Sequence, residues 1–266
     1  MENKKRINYV NEYFKNKFGE RTLKICVDGN FTCPNRDGNK GIGGCVFCGE
    51  RGSGEHIQAS AKSISKQVSD YFLTYRSKRA NKFIVYFQNF TNTYDTIENL
   101  KIKYDAALIN KKIVGLFIAT RPDSINEDIA ILLSSYSKEY YVCVELGLQT
   151  ADEEIGQFIN RCYTNDDFIK AVQILNKYNI DVITHIMIGL PGETKDDLLN
   201  TVSFINNHDL QGIKIHSTYV IKNTKLANMY NEGKYTPLTL EEYIALICDQ
   251  IEIMDENVPI VQVKKP

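Results

Sequence analysis

Six short apolar runs recur along the 266-residue chain, each separated from the next by a segment of helical character. They are LKICVD (23–28), FIVYFQ (83–88), IVGLFIA (113–119), YYVCVELGL (140–148), DVITHIMIG (181–189) and GIKIHSTYV (212–220). Helices are expected at 63–79, 96–111, 126–137, one or two within 152–178, then 194–207 and 239–255, with a short amphipathic helix at 7–19 ahead of the first strand. Thr164 with Asp167 and Thr239 with Glu242 have the spacing of capping boxes, which marks two helix starts. Strict β–α alternation predicts an α/β chain with a parallel sheet and right-handed crossovers. A barrel and an open doubly wound sheet both satisfy it, and the length accommodates one barrel-like unit.

Strands of a parallel sheet are normally apolar on both faces. Here one face is not. In 140–149, Val142, Val144, Leu146 and Leu148 alternate with Cys143, Glu145, Gly147 and Gln149. His185 in the fifth run, Lys214 and His216 in the sixth, and Gln88 in the second fall on the matching face. Aliphatic faces suit outer helices, so the polar set lines an interior. Leaving those groups without partners would cost about 1–3 kcal/mol each, and a ligand cavity at the C-terminal strand ends removes that cost.

The first strand is followed by CPNRDGNKGIGGCVFCGERGSG (33–54), which places Cys33, Cys45 and Cys48 as C-x11-C-x2-C in a glycine-dense loop. Such a loop has no periodic apolar face, so core packing is not expected to order it. Three thiolates gathered there favour zinc or an iron–sulfur cluster. A closed site wants four protein ligands, so three leave one position open for chemistry. A zinc knuckle completed by a remote Cys or His is the alternative. Cys26, Cys143 and Cys248 lie in strands or a helix and are expected to be buried small apolar residues.

The net charge of −1 and a pI near 6.4 give no global case for nucleic-acid binding. The basic groups Arg76, Lys78, Arg79 and Lys82, and Lys101, Lys103, Lys111 and Lys112, read as solvated faces. The N-terminus has no apolar core of signal-peptide length and no window approaches a membrane span, so a cytoplasmic protein without a membrane partner is expected. Seven cysteines in a reducing compartment suit metal binding or burial better than disulfides.

The cysteine loop, together with VELGLQT (144–150), INRCYT (159–164), HIMIGLPGET (185–194) and KIHSTYVIKNTKL (214–226), resembles the radical S-adenosylmethionine (SAM) enzymes. More closely, it is similar to the bacterial subfamily related to the Elongator catalytic subunit and the oxygen-independent coproporphyrinogen oxidases. The resemblance implies a partial (β/α)6 barrel with an N-terminal cysteine-cluster loop: residues 1–22 as a helical extension, and 23–266 as the barrel, short at its C-terminus. It implies a 4Fe–4S cluster on Cys33, Cys45 and Cys48, whose open iron takes SAM, and one-electron cleavage of SAM to a 5′-deoxyadenosyl radical. A one-electron donor such as flavodoxin or ferredoxin is implied as a partner. By the same resemblance Phe47 lies against the adenine, Gln149 and His185 reach the ribose, Arg161 the SAM carboxylate, and Glu145 is a further polar contact. QNFTNTY (88–94) replaces the usual Gly-Gly-Glu stretch, which brings Gln88, Asn89 and Thr91 to the SAM amino group. Relatives usually carry Gly and His after the arginine, where this chain has Cys162 and Tyr163. Lys214, His216, Lys222 and Thr224 stand where a substrate would be met. The substrate implied first is a tRNA wobble uridine, with a small-molecule or porphyrin-related substrate as the alternative, and a non-catalytic zinc or iron–sulfur module as the alternative of another class.

Overall fold

In the computed structural model, which describes residues 10–52 and 62–263, every strand lies beside its neighbours in sequence. The strands are β1 (Thr22–Val27), β2 (Lys82–Phe87), β3 (Ile113–Thr120), β4 (Tyr141–Gln149), β5 (Asp181–Ile188), β6 (Gly212–Ser217) and β7 (Ile260–Val263). All pair in parallel. A doubly wound sheet reverses its strand order part-way; this one never does, so the winding is that of a barrel. The seventh strand, IVQV, was not among the six expected runs. It is four residues long, too short for its alternation to stand out in sequence.

The sheet is curled. Lys24 on β1 reaches Glu145 on β4 at 2.9 Å. Three inter-strand steps of about 4.8 Å would separate these strands in a flat sheet. The curl does not close into a full barrel, because β1 and β7 each have one strand neighbour among the described residues.

Outside the curl run α2 (Ile64–Leu73), α3 (Ile97–Asp105), α4 (Glu127–Tyr136), α6 (Asn165–Lys177), α7 (Lys195–Asn206) and α9 (Leu240–Ile253). Their apolar stripes pack on the aliphatic strand faces: Val142, Val144, Leu146 and Leu148 of β4 share one core with Phe168, Leu175 and Val202. Threonine caps set several starts. The capping boxes at Thr164 and Thr239 form as expected, and Thr194 with Asp197 makes a third. The expected helix at 63–79 breaks at Thr74, whose backbone turns extended, leaving a 3₁₀ turn over Tyr75–Arg79. That expected at 96–111 stops at Asp105. Two short helices, α5 (Glu153–Phe158) and α8 (Lys225–Asn231), border the C-terminal strand ends.

The helix before β1, α1 (Val10–Phe18), turns inward; positions 7–9 of its expected span lie outside the described residues. Phe14 is buried against Ile84, Phe117, Ile183 and Val261, edge-on to Phe117 with ring centres 5.8 Å apart. Tyr13 shares a hydroxyl contact with Tyr141 at 3.1 Å, and Lys17 pairs with Asp181 at 3.3 Å. This helix is therefore the floor of the barrel.

Two cysteines differ from expectation. Cys143 is buried, but Cys26 and Cys248 are exposed. Cys26 is on the interior face of edge strand β1, where no further strand among the described residues covers it, and Cys248 is on the outer helix α9.

Candidate active site

The cysteine loop lies over the C-terminal strand ends and is ordered by polar contacts rather than by a metal alone. Asn35 is fully buried; its Nδ2 donates to the carbonyl of Asn160 at 2.6 Å and approaches the sulfur of Cys45 at 3.6 Å. Arg36 donates to the carbonyls of Cys48, at 2.9 Å, and Gly49. Val46 is bracketed by main chain from both halves of the barrel. Its N–H donates to Ile159, and its carbonyl accepts from Leu226 at 2.9 Å. Core packing was not expected to order this stretch, and side chain–backbone hydrogen bonds contribute that order.

Cys33, Cys45 and Cys48 are neighbours within this loop. Burial, then the thiolates of Cys48 and Cys33, push the Cys45 thiol up to about 12, with Arg121 and the Asn35 N–H acting against them. Among the described residues, no three His, Cys, Asp or Glu side chains are gathered as one metal ion would require. Thiolates on a 4Fe–4S cluster each bind a different iron, so they need not converge on one point.

Phe47 packs beside Val46, Ile155, Ile159, Met187 and Leu190, an apolar patch at the top of the barrel. Gln149 ends β4 at a register shift, with φ of 71°. Its side chain folds back over Gly147, where an added Cβ would stand 2.5 Å from Gln149 Nε2, and the Tyr163 hydroxyl donates to the Gly147 carbonyl at 2.7 Å. Gln88 follows β2 and opens the segment that clasps the loop: the Thr91 N–H donates to the Thr32 carbonyl, and Arg36 lies over the Phe90 ring. Asn89 Oδ1 and Thr91 Oγ1 are buried with no hydrogen-bond partner among the described residues.

Below this level the interior polar face forms one network around Glu145. The fully buried carboxylate accepts from Lys24 at 2.9 Å, His185 Nε2 at 2.9 Å and Lys214, with the Tyr86 ring beside the two ammonium groups. Burial opposes its charge, but Lys214, Lys24 and His185 outweigh that and hold it well below the usual carboxylate range. Burial pushes His185 down to about 4, aided by Lys214, so the imidazole is neutral at pH 7. Burial also pulls Lys214 down to about 8 against the attraction of Glu145. The His185 and His216 rings are 4.9 Å apart.

Three of the residues expected at SAM are engaged by other protein groups. Arg161 is fully buried with all five donors satisfied: Nε to Tyr163 O, Nη1 to Leu148 O and Thr150 O, Nη2 to Glu153 and Asn165. This fork holds the β4–α6 connection and leaves no N–H for a carboxylate. Glu145 has three donors on its two oxygens, and His185 spends Nε2 on it. Thr224, expected near substrate, caps α8 and donates to Ile221 O, whereas Lys222 is exposed.

Two residues were missed. Lys24 reads in sequence as a polar residue of an edge strand, yet it shares a face with Cys26 two positions on. Arg121 follows β3 and is buried; its guanidinium grips Asp123 through two 2.9 Å bonds and donates to the carbonyls of Arg161 and Cys162. The Arg-x-Asp spacing directly after a strand was the available signal.

With this geometry established, known proteins give a consistent picture. A family model described as the radical SAM superfamily matches residues 33–205, and one described as a radical SAM C-terminal domain matches 210–265. YtqA of Bacillus subtilis (strain 168) is 38% identical over 251 residues, 94% of this chain and 78% of its own length. The tRNA uridine(34) acetyltransferase of Methanocaldococcus jannaschii is 35% identical over 144 residues, 53% of this chain and 26% of its own. Among solved structures, the archaeal Methanocaldococcus infernus Elp3 aligns with a TM-score of 0.67 at 21% identity, over 92% of this chain and 60% of that one. No helix among the described residues is long and apolar enough to cross a membrane.

Proposed function

This chain belongs to the radical SAM superfamily and is a radical SAM enzyme, and from that premise we propose that it cleaves SAM at a 4Fe–4S cluster held by Cys33, Cys45 and Cys48 to modify a tRNA wobble uridine. The observation that carries the first part is the donor set itself. Three neighbouring thiols sit in a loop tied down by Asn35, Arg36 and the Val46 bracket, and Asn35 aims an amide N–H at one sulfur. N–H donors to cluster sulfurs are a usual means of setting cluster potential. When bound, the cluster supplies the electron that cleaves SAM.

The residues present fit SAM as well. Phe47 and its apolar neighbours offer a face for the adenine, and Gln149, given room by Gly147, offers an amide for the ribose. The buried acceptors Asn89 Oδ1 and Thr91 Oγ1, next to Gln88, suit the ammonium of the methionine half. Arg161, Glu145 and His185 act one layer out: Arg161 fixes the turn that follows Gln149, and Glu145 with His185 holds the interior beneath it. The substrate class rests on kinship with a protein named for tRNA uridine-34 chemistry, which matches about half of this chain.

The test is anaerobic reconstitution of the full chain. Brown protein with about four irons, releasing 5′-deoxyadenosine from SAM under dithionite, is the expected result. Colourless protein carrying a single zinc overturns the reading. For the substrate, bulk tRNA from cells with and without the gene should differ in its wobble uridines; identical nucleoside profiles remove tRNA.

A further inference from the structure

Lys24 and Lys214 approach one carboxylate from opposite sides of the curled sheet. Both ammonium groups lie over the Tyr86 ring, at 4.9 and 4.7 Å, and Lys24 is also 4.4 Å from the centre of the Phe117 ring. Glu145 is the acidic partner recorded for each among the described residues. The other groups facing them include Tyr86, Cys143 and His185, all neutral at pH 7 because burial, first among the causes for each, disfavours their charged forms, and Cys26, whose thiol is raised for the same first cause. Asp181, lower on the same side, is occupied by Lys17 and Tyr141. Two cations therefore face one anion, and aromatic faces soften the imbalance without cancelling it.

The surplus is reachable. Lys214 is almost completely buried, but the Lys24 side chain is 21% exposed, and Cys26, next along the same face, is open to solvent at the edge of β1. A low-dielectric wall behind a net positive charge concentrates anions at such a mouth. We propose that Lys24, backed by Lys214 and Glu145, is an anion-recognition site of the barrel interior that takes a carboxylate or phosphate group of the substrate. The proposal rests on the reading that the substrate is met inside this barrel beneath SAM. It makes Lys24 a specificity-determining residue, with Glu145 setting its position.

Cys26 provides a reporter that does not depend on SAM cleavage. The reconstituted full chain would be alkylated with iodoacetate, an anion, or with iodoacetamide, its neutral counterpart, and the modified peptides quantified by mass spectrometry. Taking the ratio of the two rates cancels the thiolate fraction at each site, and exposed Cys248 on α9 is the internal control. At Cys26 the iodoacetate-to-iodoacetamide ratio should exceed that at Cys248 by about threefold or more, as expected for one uncompensated charge within several ångströms. Lys24→Met, which leaves a balanced Glu145–Lys214 pair with Arg76 as the remaining cation acting on Cys26, should lower the difference, and Lys24→Arg should keep it. Inorganic phosphate and succinate then separate the sources: whichever slows Cys26 alkylation more identifies the preferred group. Equal ratios at Cys26 and Cys248, a preference unchanged in Lys24→Met, or protection by neither anion would overturn the site. A flat ratio in protein that still releases 5′-deoxyadenosine sinks this site alone; a high ratio without 5′-deoxyadenosine leaves it standing and sinks the radical reading.

Discussion

Lys24 and Glu145 meet at 2.9 Å although they belong to the first and fourth strands of the sheet. No local sequence relationship links them; only the curl of the sheet brings them together. The pair is one arm of a network in which Glu145 anchors residues from β1, β5 and β6. Removing its charge leaves two ammonium groups facing each other in a largely apolar interior. Glu145→Gln should therefore destabilise the chain by about 3–5 kcal/mol in urea unfolding. A change below about 1 kcal/mol would mean that water already solvates the lysines.

His185 sets an acid limit. Its pKa is about 4 in the folded chain against an ordinary 6.5, so the native state favours the neutral ring. Its contribution is fully present above pH 6.5 and is lost as pH falls toward 4, where the unfolded chain binds the extra proton first. The loss should amount to roughly 3 kcal/mol over that window. Unfolding free energies measured across it should fall more gently in His185→Gln than in the parent protein; parallel curves would refute the assignment.

Phe14 tests the floor. Its ring closes the bottom of the barrel, remote from the cysteine loop. Phe14→Ala should cost about 3 kcal/mol of stability. SAM cleavage per folded molecule should stay unchanged at a temperature where the variant is still native. A proportional loss of activity would show that the floor also shapes the site above.

Gly147 tests the Gln149 assignment. A methyl group there would stand 2.5 Å from Gln149 Nε2 and turn that side chain away from the site. Because the displaced atom ends a flexible side chain, stability should change by less than about 1 kcal/mol. SAM affinity, read by equilibrium dialysis, should drop about tenfold. Unchanged affinity would exclude Gln149 as a ribose contact.

The barrel was largely legible because its signals are local. Alternation in Val142–Gln149 put Glu145 and Gln149 on the interior face, and Thr164 and Thr239 announced their helices. What could not be read depends on partners distant in the chain. Arg161 looks like any loop arginine until five acceptors close around it, and Lys24 like an edge lysine until the sheet curls. Cys26 and Cys248 failed for a related reason: residue type states a preference for burial, whereas exposure is decided by whether another element arrives to cover the face. The strand IVQV was hidden by its length.

The main-chain bracket around Val46 imposes an order of events on the newborn chain. One half of it, Ile159, follows β4, and the other, Leu226, follows β6. Contacts so distant in sequence form late, after the intervening loop-closure entropy has been met. While the ribosome is still making β5, the cysteines are already outside or near the exit, but the frame that orders them does not yet exist. The proposed cluster, if it enters an ordered loop, would enter it after synthesis, and a chain interrupted before α8 would present its three thiols on an unbraced loop.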